Sequence, residues 1–149
     1  MKIGKIMKIL VINGPNINML GTREKEKYGS LTLEEIENYT NDNLTEKKAI
    51  LDWWQSNSET EIIEKIHKLV GGKYDALIIN PAAYSHTSIA ILDALNCLEI
   101  PVVEVHLTNV YRRENFRQQM LTARASSIIM SGLGKDAYCY AALALLRQN

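Results

Sequence analysis

The chain is poor in the features that mark several common protein classes. Of its 149 residues only two are cysteines, Cys97 and Cys139, and they form no CxxC pair. Both lie in apolar stretches, which favours buried thiols in a reducing compartment. No apolar run approaches the ~20 residues that a membrane-spanning helix needs, and the opening seven residues lack the pattern of a cleaved signal peptide. We therefore expect a cytoplasmic protein that does not associate with membranes.

Net charge is also missing. Lysine plus arginine number 17, and aspartate plus glutamate number 17, so the formal net charge is zero. This balance gives no electrostatic signal for binding nucleic acid. The chain also lacks the GxGxxG and GxxxxGK phosphate loops and the HxxxH pattern of many metal sites. These absences favour a small-molecule or protein partner and predict no metal site.

Five short apolar runs alternate with helical patterns. The predicted strands are 8–13, 49–54, 76–80, 101–106 and 127–131. Two predicted helices begin near Thr32 and Ser58, where Glu35 and Glu61 complete capping boxes. The other predicted helices are 88–98, 113–121 and 136–147. Alternation of this kind indicates one α/β domain, in which a parallel sheet has helices on both faces.

Two of the predicted helices, 88–98 and 136–147, are apolar on nearly every side. A sheet covers only one side of a helix, so the remaining apolar surface needs another partner. Contact with further copies of the chain is the natural cover. We therefore expect a homo-oligomer.

The longest predicted connection runs from the first strand to Thr32. Strand-to-helix loops in α/β proteins usually have two to six residues, so a loop this long is typical of a lid or binding segment. It leaves the carboxyl end of a strand, where open parallel sheets bind ligands. Gly21 and Gly29 flank Arg23 and Tyr28 and could serve as hinges. The alternative is a solvated loop in which the arginine and tyrosine have no role.

The fourth predicted strand carries a carboxylate and an imidazole in alternation. Glu104 and His106 share one face of the strand, about 6.6 Å apart along it, while Val103 and Val105 share the other. An ionised glutamate would hold a nearby histidine as a proton donor. The alternative is a glutamate buried for a structural hydrogen bond, with a surface histidine beyond it. A buried glutamate rarely lacks a partner, which favours the pair.

If the strand order is 2-1-3-4-5, the ends of strands one, three and four meet at one crevice. That crevice would receive the amides of 13–16 and of Asn80, together with the fourth-strand pair. A close arginine favours a phenolate, so Tyr28 with Arg23 could remove a proton next to a carbonyl group. His106 could then donate a proton to a leaving hydroxyl. A base and an acid so placed predict an elimination of water.

Three long motifs resemble the type II 3-dehydroquinate dehydratase family. They are INGPNINMLGTRE followed by YG, NPAAYSHTSIAILDAL, and VVEVHLTNVYRRENFR. The resemblance begins at about Met7, so that residues 1–149 would form one domain with residues 1–6 as an N-terminal extension. It implies a flavodoxin-like fold, which is a doubly wound five-stranded parallel sheet of order 2-1-3-4-5. It also implies a homododecamer, a tetramer of trimers, that uses neither a metal nor an organic cofactor.

The resemblance also implies a reaction, the anti elimination of water from 3-dehydroquinate to give 3-dehydroshikimate through an enolate. Tyr28 would be the base, Arg23 would favour its phenolate, and His106 with Glu104 would be the acid. Asn16 would hold the water that stabilises the enolate. The other implied roles are support of the tyrosinate by Arg113, a contact from Asp93 to a neighbouring subunit's site, and substrate contacts from Asn80, His86, the backbone of Leu107 and Thr108, and Arg117. One departure from the family is the stretch 81–83, where many members carry glycines.

Two other functions are compatible with parts of the pattern. A flavodoxin-like fold by itself also suits a module that binds FMN or a nucleotide. An inactive paralogue retained for assembly is a further alternative, although the motif positions are all occupied. An assay with 3-dehydroquinate separates both alternatives from the dehydratase.

Overall fold

The structure is a computed structural model that describes residues 4–22 and 24–148. Within these residues a five-stranded sheet has the order β2-β1-β3-β4-β5, and every neighbouring pair is parallel. The strands are β1 (Met7–Asn13), β2 (Ala49–Gln55), β3 (Ala76–Asn80), β4 (Val102–His106) and β5 (Ile128–Ser131). The predicted strands and their order are confirmed, with boundaries that differ by no more than one residue.

Helices cover both faces of the sheet, as predicted. The α-helices in the described ranges are α1 (Lys25–Tyr28), α2 (Leu33–Leu44), α3 (Glu59–His67), α4 (Ile89–Leu95) and α5 (Ala137–Gln148). Alternate strand residues enter two apolar layers: Ile9 and Ile78 pack with α2 and α5, whereas Leu10 and Leu77 pack with α3 and α4. Burying one such side chain contributes ~1.5–3 kcal/mol to the stability of the fold. The two apolar layers therefore hold the sheet in place, together with the edge that forms the site.

The two predicted capping boxes differ in outcome. At the start of α2 the box is complete: the Thr32 hydroxyl accepts from the Glu35 backbone N–H at 3.2 Å, and the Glu35 carboxylate accepts from the Thr32 N–H at 2.7 Å. At the start of α3 only half is present. The Ser58 hydroxyl accepts from the Glu61 N–H, but the Glu61 carboxylate accepts from the Ser56 hydroxyl instead of closing the box.

The predicted helix 113–121 is wrong. The chain here makes short 3-10 turns at Val110–Arg112, Asn115–Arg117 and Thr122–Ala125. Phe116, the large apolar side chain near the middle of the segment, is 67% exposed, so a helix would have had no apolar face to bury. The irregular path instead brings Arg113 and Arg117 to the same cavity.

The two apolar helices are only partly covered by the chain that carries them. On α4, Ile91 and Leu95 are buried but Ile89 is 62% exposed, and on α5, Tyr140 is 53% exposed. Cys97, just beyond α4, is exposed, so the expectation of a buried thiol fails there because the chain covers only one side of this helix. Within residues 4–22 and 24–148, every helix is too short or too polar to cross a bilayer.

Candidate active site

The carboxyl ends of β1, β3 and β4 meet at one edge of the sheet. Asn13 on β1 pairs in register with Asn80 on β3, and Glu104 on β4 pairs with Ile79, the residue before Asn80. Beyond this edge lies a cavity of about 130 Å³. Predicted site residues that line it are Asn16, Tyr28, Asn80, His86, His106, Leu107, Thr108, Arg113 and Arg117.

The predicted pair on β4 is a direct contact. His106 Nε2 lies 2.7 Å from Glu104 Oε1, and the two residues are 6% and 0% exposed. A carboxylate only accepts hydrogen bonds, so Nε2 carries the proton and Nδ1 is the remaining ring nitrogen. The other carboxylate oxygen, Oε2, accepts from the Thr122 hydroxyl at 2.8 Å. Glu104 is thus a fully buried carboxylate with a donor on each oxygen.

The second histidine of the cavity has a different partner. His86 Nδ1 lies 2.9 Å from the backbone carbonyl of Gln119, so Nδ1 donates and a neutral ring keeps Nε2 as an acceptor. Burial lowers the pKa of His86 below its ordinary value of 6.5, and His106 and Arg117 lower it further, against the opposing effect of the Gln119 carbonyl. His86 is therefore neutral at pH 7, when it can accept from a hydroxyl. Its ring centroid is 6.5 Å from that of His106.

Tyr28 lies at the end of α1 and is half-buried. Arg113 donates from a terminal guanidinium nitrogen to the Tyr28 oxygen at 2.6 Å. A guanidinium at this distance stabilises negative charge on the phenol oxygen. Gly21 and Gly29, the predicted hinges, flank this segment with φ of 84° and 80°. Arg23, the other arginine predicted to act on Tyr28, lies outside the described residues.

Asn16 and Ala82 line the cavity, and both have a backbone in the left-handed region. Asn16 follows β1 with φ of 68°, and its backbone N–H donates to the Asn57 side chain at 2.9 Å. Ala82 has φ of 52°, a left-handed conformation that glycine adopts at lower cost. Its N–H donates to Asn80 Oδ1 at 3.2 Å. The alanine departure is therefore accommodated at a site where backbone strain is expected.

The cavity is basic although the whole chain is neutral. Two arginines and two histidines line it, and the described lining residues include no acidic side chain. Arg117 also donates to the Glu114 carboxylate at 2.8 Å, outside the lining. Such a site suits a small anion that also offers hydroxyl or carbonyl oxygens. Asp93 is exposed on α4 and does not belong to this cavity.

Sequence reasoning missed Tyr138, which lies under the site. Tyr138 on α5 is 0% exposed, its hydroxyl donates to Asn13 Oδ1, and Asn80 Nδ2 donates to that hydroxyl at 3.1 Å. Burial raises the pKa of Tyr138 well above its usual range, so the hydroxyl keeps its proton. In the sequence this tyrosine is one aromatic residue in an apolar helix, a pattern that indicates only packing. Thr122 was missed as well, because it lies 18 residues from Glu104, between the predicted helix 113–121 and the predicted strand 127–131.

Comparison with known proteins gives consistent results. The model of a family described as "Dehydroquinase class II" matches residues 7–146. A 3-dehydroquinate dehydratase of Aliarcobacter butzleri (strain RM4018) is 48% identical over 141 residues, which cover 95% of this chain and 85% of that protein. Another, of Enterobacter sp. (strain 638), is 51% identical over 133 residues, which cover 89% and 88%. The crystal structure of type II dehydroquinase from Butyrivibrio crossotus DSM 2876 has a TM-score of 0.91 at 42% identity, covering 95% of this chain and 99% of that one.

Proposed function

Because the chain belongs to the class II dehydroquinase family and is a 3-dehydroquinate dehydratase, we propose that it eliminates water from 3-dehydroquinate in the anti sense, through an enolate. The product is 3-dehydroshikimate, which makes this the third step of the shikimate pathway toward chorismate and the aromatic amino acids. One observation supports the mechanism above the others. A candidate base, Tyr28, and a candidate acid, His106, line the same cavity. Tyr28 contacts the positively charged Arg113, and His106 contacts the carboxylate of Glu104.

The first step in this proposal is proton abstraction. Tyr28 as a phenolate removes a proton from the carbon next to the substrate carbonyl, and the C–H electron pair forms the enolate. Arg113, which donates to the Tyr28 oxygen, stabilises the phenolate before the transfer. Arg23 is proposed to act with it, as the family resemblance implies. Asn16 is assigned to a water that donates to the enolate oxygen, a role supported by its place in the cavity wall.

The second step is loss of the hydroxyl. The enolate re-forms its carbonyl, and the electron pair of its C=C bond shifts to form a new C=C bond as the C–O bond to the hydroxyl breaks. His106 donates a proton from Nδ1 to the leaving oxygen, so that water leaves. The buried carboxylate of Glu104 on Nε2 stabilises the imidazolium needed for this donation. The ring is held by its other nitrogen, so Nδ1 has a fixed direction.

Substrate binding is assigned to the remaining lining residues. The backbone of Leu107 and Thr108 is proposed to bind the substrate carboxylate, and Arg117 adds positive charge to the same cavity. Neutral His86 accepts from a ring hydroxyl. Asn80 retains one amide N–H beyond the one it donates to Tyr138, and this N–H is proposed to reach a substrate oxygen.

Assembly and location complete the proposal. We propose a homododecamer, a tetramer of trimers, in which Asp93 reaches the site of a neighbouring subunit. Exposed Ile89 on the same helix supports this, because contact with another copy would bury it. Light scattering should give a mass near that of twelve chains, and a monomer in solution would contradict the assembly. We also propose a cytoplasmic location, in keeping with the free thiols Cys97 and Cys139; their oxidation in cells would count against it.

The activity is tested by adding 3-dehydroquinate and following the ultraviolet absorbance of the conjugated product. Wild-type protein should form product, and Tyr28→Phe or His106→Ala should reduce kcat by roughly 100-fold or more. Tyr74→Phe and His67→Ala are matched controls, because the half-buried Tyr74 and the exposed His67 both lie outside the cavity lining. No product from folded wild-type protein would overturn the function. Full activity of Tyr28→Phe would overturn the assignment of the base.

A further inference from the structure

One short segment behind the cavity contacts the elements that carry both histidines. The segment Gln119–Thr122 follows Arg117 and contributes no side chain to the described cavity lining. The Gln119 carbonyl accepts from His86 Nδ1 at 2.9 Å, and the Leu121 N–H donates to the Ser85 carbonyl at 2.7 Å. The Thr122 hydroxyl donates to Glu104 at 2.8 Å. The segment therefore contacts His86, the histidine that we assign to substrate binding. It also contacts Glu104, the carboxylate that holds the proton donor His106.

The contact of Thr122 with Glu104 bears on the proposed proton donation. Glu104 lies on the same face of β4 as Val102, which belongs to the apolar layer with α4, and it is 0% exposed. An ionised carboxylate in such a place needs a partner on each oxygen, since a missing hydrogen bond favours its neutral form. His106 supplies one partner and Thr122 supplies the other. Without the hydroxyl, the carboxylate would lose both part of its stabilisation and its fixed orientation.

We propose that Thr122 is a positioning residue for the proton donor: its hydroxyl holds the Glu104 carboxylate in a fixed orientation, so that His106 presents Nδ1 to the leaving group. This rests on the proposed dehydration. Thr122 touches neither the cavity nor the reacting atoms, and it acts through Glu104 alone. His86 is held by a backbone carbonyl of the segment, which a change of the Thr122 side chain leaves in place. The role of Thr122 is therefore in the chemical step and not in substrate binding.

A second buried threonine provides a matched control. Thr40 on α2 is also 0% exposed, its hydroxyl donates to the Ile36 carbonyl at 2.8 Å, and neither residue lines the cavity. Replacing either threonine with valine removes one buried hydroxyl and keeps nearly the same shape. The two variants lose a similar interaction, but only Thr122→Val leaves a carboxylate oxygen without its donor.

The test compares kcat and KM for 3-dehydroquinate in four proteins: wild type, Thr122→Val, Thr122→Ser and Thr40→Val. In Thr122→Val, kcat should fall about tenfold or more while KM stays within about twofold, as expected for loss of a hydrogen bond to a charged group. Thr122→Ser, which keeps the hydroxyl, should restore kcat. Thr40→Val should keep the wild-type kcat even if its thermal midpoint falls.

Each other outcome overturns the proposal. Equal kcat in Thr122→Val and wild type, or equal losses in Thr122→Val and Thr40→Val, would show that the hydroxyl only supports the fold. A large rise in KM at constant kcat would assign Thr122 to binding. If Thr122→Val does not fold, Thr122→Cys, with a weak donor in a side chain of similar size, is measured against the same control. An inactive wild-type protein would overturn the dehydration itself, which separates the two failures.

Discussion

The buried floor of the site and its lid side are held in different ways. The floor comprises residues at most 6% exposed, which are Asn13, Asn80, Glu104, His106, Thr122 and Tyr138. The lid side comprises the exposed Asn16 and the half-buried Tyr28, which meets Arg113. Strand register and buried hydrogen bonds fix the floor, whereas the lid side depends on a short helix between two glycines with positive φ. The acid is therefore preorganised by the fold, while the base is on the part of the site that can move.

The largest effect is expected from the charge in the floor. Glu104→Gln keeps the shape of the side chain but cannot stabilise an imidazolium, so kcat should fall by roughly 100-fold with the protein still folded. Steady-state kinetics and circular dichroism measure the two quantities. An unchanged kcat would show that His106 does not need the carboxylate, and the floor would then be structural.

The floor should also contribute to stability through Tyr138. Tyr138→Phe leaves Asn13 Oδ1 without its donor in a buried place, so the free energy of unfolding should fall by roughly 1–3 kcal/mol. Urea titration measures the loss. Tyr140→Phe is the control, since this tyrosine of the same helix is 53% exposed and its loss should change little. Equal stability of the two variants would contradict a floor held by hydrogen bonds.

The lid side should lose activity with a smaller loss of stability. Arg113→Lys keeps the positive charge but not the planar fork, so kcat should fall about tenfold while the free energy of unfolding falls by less than in Tyr138→Phe. Arg112→Lys, at the exposed neighbouring position, is the control. A stability loss as large as that of Tyr138→Phe would remove the distinction between the two regions.

The smallest effect concerns pH and His86, which lies between the two regions. Burial is the main cause of its lowered pKa, so below about pH 6.5 the unfolded chain binds more protons at this residue than the folded chain does. The stabilising contribution is complete above pH 6.5 and decreases as the pH falls toward the folded-state pKa. Over the same window KM should rise, because protonated His86 no longer accepts from a hydroxyl. His86→Gln should lack both changes, and an equal rise of KM with falling pH in wild type and His86→Gln would contradict the assignment to His86.

The parts that the sequence predicted follow from repeating patterns. Alternation along β4 placed Glu104 and His106 on one face, and the alternation of apolar runs with helical patterns predicted a parallel sheet. The strand order that brings β4 next to Asn80 was implied by the family resemblance. The predicted helix 113–121 failed because charged residues at helical spacing, such as Arg113 and Arg117, carry no information about which face a neighbouring element covers. These side chains turn toward the cavity instead.

The missed residues depend on contacts between distant parts of the chain. Thr122 meets Glu104, and Tyr138 meets Asn13, only after the strands have taken their places in the sheet. Neither partner is visible as a spacing, since a buried threonine or tyrosine has the same local pattern whether it packs or donates. A buried carboxylate such as Glu104 was the one available signal, because it requires a second donor from somewhere.

The contact between Tyr138 and Asn13 joins residues separated by 125 positions. It places the exit of the first strand and the start of the last helix at the same buried point. During synthesis on a ribosome, a chain that has emerged only as far as β5 has every strand of the sheet but no hydroxyl between Asn13 and Asn80. Catalytic competence should therefore appear only once α5 has left the exit tunnel and packed, after every strand of the sheet has been made.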